Sequence, residues 1–299
     1  MPSGYAALNT TALPAATIPD GSQYFDIVTY TGITQSPRTI TGLNIAEPDL
    51  VWVKNRNDTS AHLLWDAVRG TDKNIRSDGT FTESAVSASA NGIISTSAAN
   101  GFVVKNVNTG TNVGSSGSDP YVAWCWEAGS STVSNTDGSI TSSVRASATA
   151  GFSIVSWTGT GSAGTIGHGL NSAPELIIGK NRGNTTSWMV GAAAANDWSK
   201  VLFLDTNAAL TTNGNFNSTA PTSSVFSVGT GSGLNQNSKA HIAYCFTSVA
   251  GYSAFGSYAG TGGGSSSAFN YCGFRPRLVV VKRTDSTSQW SVYDTARNP

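Results

Sequence analysis

Two stretches of the chain set a carboxylate and a guanidinium at the same spacing. "WDAVRG" at residues 65–70 carries Asp66 and Arg69, and "YDTARN" at 293–298 carries Asp294 and Arg297. In an Asp-x-x-Arg unit one carboxylate accepts two bonds from a planar guanidinium across a turn, which fixes local geometry. The four residues therefore read as structural ion pairs, with a ligand-touching loop as the competing reading. Lys54, Lys180 and Lys282 recur in related segments. A lysine acts as a nucleophile only when burial or a nearby cation lowers its pKa, and Arg56 and Arg182 stand two positions on; a stem laid along apolar surface at a strand end is the plainer reading. His62, His168 and His241 stand in three unrelated contexts, none beside a second metal-ligand type at useful spacing. Cys125, Cys245 and Cys272 have neither disulfide nor zinc spacing. The expectation is no catalytic residue, no metal and no cofactor.

The elements that hold these residues recur along the chain. "FDIVTYTG" at residues 25–32 returns as "FSIVSWTG" at 152–159 and, more faintly, as "SAFGSYAG" at 253–260. Each is followed by a proline-led, β-branched run of strand length: "PDLVWVKNR" from Pro48, "PELIIGKNR" from Pro174 and "PRLVVVKRT" from Pro276. "YVAWCWEAG" from Tyr121 is matched by "HIAYCFTSV" from His241, which aligns Cys125 with Cys245, Trp124 with Tyr244 and Trp126 with Phe246. The spacing predicts one module over residues 25–129, a second over 152–251 and a partial third over 252–299. The Asp-Arg block is missing from the second, where Ala192 to Ala195 stand.

Side chains alternate between the faces of a strand. Val122, Trp124 and Trp126 share one face, as do Ile242, Tyr244 and Phe246, while Cys125 and Cys245 lie opposite beside small alanines. Both segments read as core strands in which cysteine behaves as a small hydrophobe. Residues 130–151, rich in Ser and Thr, read as a linker, although Ile140 and Val144 would also suit a short edge strand or hairpin. Helical signals are sparse; the strongest is the alanine run within residues 187–204. The fold class expected is all-β: tandem β-sandwich, jelly-roll-like modules behind an extended N-terminal arm, residues 1–24.

Composition narrows the function. Charged residues make up 11% of the 299, against the ~25% usual for a soluble domain, and 17 basic residues balance 17 acidic ones. With no basic run, nucleic acid is not an expected partner. An apolar run of about 18 residues is absent, so no membrane insertion is expected, and the N-terminus lacks the pattern of a secretory signal.

Taken together, "PDLVWVKNR", "LLWDAVRGT", "YVAWCWEAG", "DGSITSSVRASATAGFSIVSWTGTG" and "TIGHGLNSAPELIIGKNR" resemble the repeated module of structural proteins from tailed bacteriophages, marine ones especially. The resemblance covers most of the stretch from Phe25 to Pro299 and does not cover residues 1–24; the second module departs from it at the alanines. It implies a virion component located in the particle, other virion proteins as partners, and a homo-oligomer, a trimer in fibres of this kind. Residues 1–24, with Tyr5, Leu8, Leu13, Pro14 and Ile18, would then anchor the chain to the particle, and the modules would touch a host cell-surface glycan as a tail-fibre or tail-associated protein does. A capsid decoration or head-fibre protein is the alternative. A glycan depolymerase is a third reading, one that needs a paired-carboxylate cleft.

Overall fold

The computed structural model describes residues 17–33, 37–70, 73–85, 92–95, 99–105, 111–112, 118–262 and 268–297. It is almost entirely antiparallel β-structure; among the described residues the α-helical content is a single turn, Ser232–Asn235. Nine strands precede residue 130: β1 Phe25–Thr31, β2 Arg38–Thr41, β3 Leu50–Asn55, β4 Leu63–Asp66, β5 Lys73–Arg76, β6 Ser84–Ala85, β7 Gly92–Ser95, β8 Gly101–Lys105 and β9 Pro120–Trp126. Ten follow: β10 Val133–Asn135, β11 Ser142–Ser147, β12 Phe152–Thr158, β13 Gly164–Gly167, β14 Leu176–Asn181, β15 Met189–Ala192, β16 Lys200–Phe203, β17 Thr211–Thr212, β18 Val225–Val228 and β19 Ala240–Phe246. The last two are β20 Leu278–Val281 and β21 Ser291–Asp294.

The repeats reappear as sheets. One sheet runs β1-β9-β3-β4-β5-β6; another runs β10-β11-β12-β19-β14-β15-β16-β17 and contains the same order from β12 onward. Register makes the match residue by residue. Leu50 pairs with Asp66, Leu176 with Ala192 and Leu278 with Asp294, and Phe25 faces Trp126 as Phe152 faces Phe246. A smaller sheet accompanies each large one: β2-β8-β7 in the first repeat and β13-β18 in the second.

Each large sheet packs on its small sheet. In the first repeat Val51, Val53, Tyr121, Ala123 and Cys125 meet Ile40, Phe102 and Val104. In the second, Val155, Ile177, Ala243 and Cys245 meet Ile166, Phe226 and Val228. The cysteine faces of β9 and β19 therefore line these inner cores. The opposite, aromatic faces are also covered: Leu50 and Leu64 of the first repeat pack against Phe152, Ile154, Ile242 and Tyr244 of the second. Sheets buried on both faces read as near-continuous apolar runs, which is why "YVAWCW" alternates in size and not in polarity.

Two sequence expectations are corrected. The alanine run within residues 187–204 is not helical: Met189 and Val190 pair with Phe203 and Leu202, and Ala193–Ala195 make one 3-10 turn closed by Asn196 in the left-handed conformation, φ 51°. Burial of Val190 and Val201 in the sheet outweighs alanine's local preference for helix. Residues 130–151 are not a bare linker either, because the hairpin β10–β11 extends the second sheet and Ile140 and Val144 enter its core.

At the N-terminal end, Tyr5, Leu8, Leu13 and Pro14 lie outside the described residues. Ile18 is buried, and Gly21–Gln23 form a 3-10 turn whose Asp20 cap accepts from Ser22 N at 3.0 Å. The part of the expected arm that is described thus lies folded against the body.

Candidate functional site

The charged residues singled out in the sequence converge where one repeat meets the next. Asp66 ends β4, and the turn after it brings Arg69 back so that the Arg69 Nε–H bonds Asp66 Oδ2 and its Nη2 donates to Leu64 O at 2.9 Å. Both side chains are fully buried. The turn amides of Val68 and Arg69 bond Asp66 Oδ1 at 3.2 and 2.9 Å, and a further partner comes from the second repeat: the Tyr244 hydroxyl donates to Oδ2 at 2.8 Å. Asp294 and Arg297 repeat the arrangement. Arg297 Nη2 donates to Val292 O at 2.8 Å, and Trp124 Nε1 of the first repeat donates to Asp294 Oδ2 at 3.1 Å. Trp124 and Tyr244 occupy the same strand position, and both carry a donor on an aromatic ring.

The network runs on from Arg69. Its Nη1 lies 3.3 Å from Glu83 Oε2, and Glu83 receives a two-pronged grip from Arg182 of the second repeat, 2.8 and 2.9 Å. Burial works against the Arg69 charge, but Asp66 more than offsets it and the pKa lies above the ordinary value. Burial likewise opposes the Glu83 charge, and Arg182 and Arg69 together hold its pKa below the usual range. A carboxylate engaged by two guanidiniums is a fastener; it has no proton to give and little basicity to offer.

The lysines are fasteners too. Each turns back into its own loop and donates six residues on: Lys54 to Ser60 O at 2.7 Å, Lys180 to Thr186 O at 2.6 Å and Lys282 to Ser288 O at 2.8 Å. The reading of a stem simply snorkelling at a strand end is corrected, since Lys180 is fully buried and its ammonium is satisfied by carbonyl oxygens. Burial lowers its pKa to about 8. Two of the three also reach across to the preceding repeat, Lys180 to Thr80 O and Lys282 to Asn207 O, both at 3.2 Å.

Equivalent contacts give the order of the repeats. Trp188 Nε1 donates to Arg76 O at 2.7 Å and Trp290 Nε1 to Phe203 O at 2.8 Å; Glu83 N bonds Arg182 O as Leu210 N bonds Thr284 O. The second repeat thus grips the first and the third grips the second. Trp124 to Asp294, with an ion pair from Arg277 to Asp26 at 2.7 Å, makes the first grip the third. Head-to-tail contacts that close after three steps describe a ring with approximate threefold character.

The histidines, Cys125 and Cys245 lie in the packing, whereas Cys272 is half-buried. Burial depresses the pKa of His62 and His241 to about 4 and lowers that of His168. His62 Nδ1 accepts from Trp52 Nε1 at 3.3 Å, and His168 Nδ1 accepts from Leu170 N at 3.2 Å. Burial raises the thiol pKa of Cys125 and Cys245 well above the usual value, the reverse of a reactive cysteine. Among the described residues no group of three or more His, Cys, Asp or Glu is arranged to hold a metal ion.

One acidic cluster escaped the sequence reading. An open groove of about 620 Å³ beside the first repeat is lined by Glu47, Asp49, Glu127 and Arg145 among others. Asp49 accepts from Ala128 N at 2.7 Å and pairs with Arg145 at 2.7 Å. Burial still raises its pKa to about 6, with Glu127 adding to the effect. The three carboxylates are far apart in sequence or next to unremarkable neighbours, so no motif announces them.

The domain of unknown function DUF7483 matches residues 20–299, and the chain belongs to that family. Neither a curated protein nor a solved structure matches it.

Proposed function

We propose that this member of the DUF7483 family is a non-enzymatic structural protein of a tailed bacteriophage particle, a tail-fibre or tail-associated protein whose N-terminal residues anchor it and whose repeats face the host surface. In this reading the repeats are tandem, jelly-roll-like β-sandwich modules, and residues 1–24 are the N-terminal arm that anchors them. The observation that supports it best is where the chain places its charge. Arg69 and Arg297 fix Asp66 and Asp294 within their own repeats, and Asp66 then joins Tyr244, Asp294 joins Trp124 and Glu83 joins Arg182 across to another repeat, which suits a mechanical part. The sequence resemblance to phage structural modules adds the particle, and with it the homotrimer and other virion proteins as partners. Loops at the ends of sandwich sheets are suited to holding a host glycan.

Mass spectrometry of particles purified from a lysate of cells carrying the gene tests the proposal directly. Stoichiometric recovery with the particle, with gold-labelled antibody decorating tails, is the expected result; label on heads would replace the tail assignment with a capsid decoration or head fibre. Absence from particles would overturn the reading. Release of reducing sugar from host polysaccharide by the purified protein would replace it with a depolymerase.

A further inference from the structure

At two seams of the ring one repeat turns the same bank of hydrogen donors on a segment of its neighbour. The second repeat sets Trp188, Lys180 and Arg182 against residues 76–83. Trp188 Nε1 donates to Arg76 O at 2.7 Å, Lys180 Nζ to Thr80 O at 3.2 Å, and Arg182 to the Glu83 carboxylate at 2.8 and 2.9 Å. Arg182 O accepts in return from Glu83 N at 2.9 Å. The third repeat treats residues 203–210 alike, with Trp290, Lys282 and the main chain of Thr284. Counted from Leu50 as these are from Leu176 and Leu278, the first repeat places His62, Lys54 and Arg56 at the same positions. Their outward donors are unused among the described residues. Trp52 gives its indole hydrogen to His62 Nδ1, which leaves the ring's own hydrogen on Nε2; burial, with Lys54 and Arg297 adding to it, keeps that ring neutral at a pKa of about 4. Lys54 bonds Asp58 O and Ser60 O at 2.8 and 2.7 Å and lacks the outward bond of Lys180. Asp78, whose charge bears on both Lys54 and His62, is already paired with Arg76 at 3.1 Å. Arg56 is exposed, and its guanidinium makes neither a hydrogen bond nor an ion pair among the described residues.

The second half of a carboxylate's grip is present as well. Glu83 lies between Arg182 and Nη1 of Arg69, and Arg297 is the counterpart of Arg69. The bond from Trp124 to Asp294 brings Arg297 against the first repeat, where its charge acts on His62. Arg297 uses Nε on Asp294 and Nη2 on Val292 O; its Nη1, the atom that Arg69 turns to Glu83, bonds nothing among the described residues. We propose that His62, Lys54 and Arg56, with Arg297 beside them, form a binding site for an extended acidic segment of another protein. Main-chain carbonyls of that segment meet His62 and Lys54, and a glutamate side chain meets the two guanidiniums, whose planar forks suit a carboxylate. The residue six places after the leucine sets the preference: Arg182 takes a glutamate, whereas Thr284 takes Leu210, so Arg56 calls for an acid. A second copy of this chain is a poor occupant, because its own matching segments, residues 76–83 and 203–210, are held at its inner seams. The site does not depend on the chain's belonging to a particle.

The probe is a synthetic peptide of residues 73–85, which carries the segment that the second repeat grips. It is titrated into the full chain and followed by NMR, so that weak binding still registers. The expected result is binding that shifts the His62 ring and Trp124 indole signals. Glu83→Gln in the peptide and Arg56→Gln in the protein should each weaken it roughly tenfold or more, and the two together should cost little beyond either alone. Arg56 is exposed and unpaired, so its replacement leaves the fold intact, which the rest of the spectrum verifies. No shift at those signals, or binding indifferent to both substitutions, overturns the proposal. Self-association that Arg56→Gln abolishes would make a second copy the partner, and binding of polyglucuronate in place of the peptide would make the ligand a glycan; either result overturns it equally.

Discussion

Asp66 receives bonds from its own turn and from a tyrosine 178 residues away. Removing its charge strands Arg69, whose side chain is fully buried. Asp66→Asn is expected to destabilise the protein by about 3–5 kcal/mol. Tyr244→Phe, which deletes one bond to a charged acceptor, is expected to cost roughly 1.5–3 kcal/mol. Because both act on one network, urea unfolding of the double variant should show less than the sum, with a coupling of about 1 kcal/mol or more. Asp49 gives a pH signature. Its folded-state pKa of about 6 lies above the ordinary carboxylate value of about 3.9, so between those values the folded protein keeps a proton the unfolded chain has lost. The stability this group contributes is full below pH ~4 and is lost as pH rises through about 6, on the order of 3 kcal/mol. Asp49→Asn should flatten that part of the curve when urea midpoints are compared from pH 4 to 7. At this scale the sequence showed half of each lock: the Asp-x-x-Arg spacing was legible, but its third partner sits on a strand with other polar rings, Tyr121 and Trp126 in β9 and His241 in β19, and nothing in the sequence says which one reaches the carboxylate. The clue was that the aligned residues Trp124 and Tyr244 both carry a hydrogen to donate, whereas in the aligned pair Trp126 and Phe246 only the tryptophan does.

The strands were the most legible level, since period and β-branched content survive in all three repeats. The alanine run misled because its helix preference is weak and local, whereas the pairing of β15 with β16 is fixed by the sheet. The same region shows how a repeat exchanges volume. Where the first repeat has Trp65 in its inner core, the second has Gly191, and Trp198 and Phe216 fill the space. A Cβ on Gly191 would stand 2.5 Å from Trp198 Cζ3 and 2.7 Å from Phe216 Cε2. Gly191→Ala is therefore expected to destabilise by about 1–3 kcal/mol through overpacking, and adding Trp198→Leu should recover part of the loss in the same thermal-melting measurement. Residues 130–151 were read as a linker because Ser and Thr hide a strand pattern carried by only Ile140 and Val144; two buried side chains are enough when a neighbouring strand supplies the hydrogen bonds.

At the scale of the molecule, three repeats were legible but their ring was not. Nothing in a linear repeat says which face meets which neighbour, and the contacts that decide it join residues as far apart as Trp124 and Asp294, 170 positions. Closure makes the seam between first and third repeats the retaining contact of β20 and β21. Trp124→Ala deletes both the bond to Asp294 and the ring beneath Arg297, which stacks at 5.2 Å. Limited proteolysis of that variant should cut first within residues 268–297, while a fragment holding the first two repeats persists at wild-type rates. Loss of the whole chain at one rate would mean that the first two repeats depend on the third.

Ala192 gives this ring a preferred direction of failure. Among the described residues two of its three joints carry a carboxylate lock and the third, where the third repeat meets the second, does not. A hoop with one plain joint behaves like a split washer: load applied anywhere is relieved at the same gap, and the two locked joints act as its spring. Strain from heat is expected to open the protein at that joint before any sheet is torn.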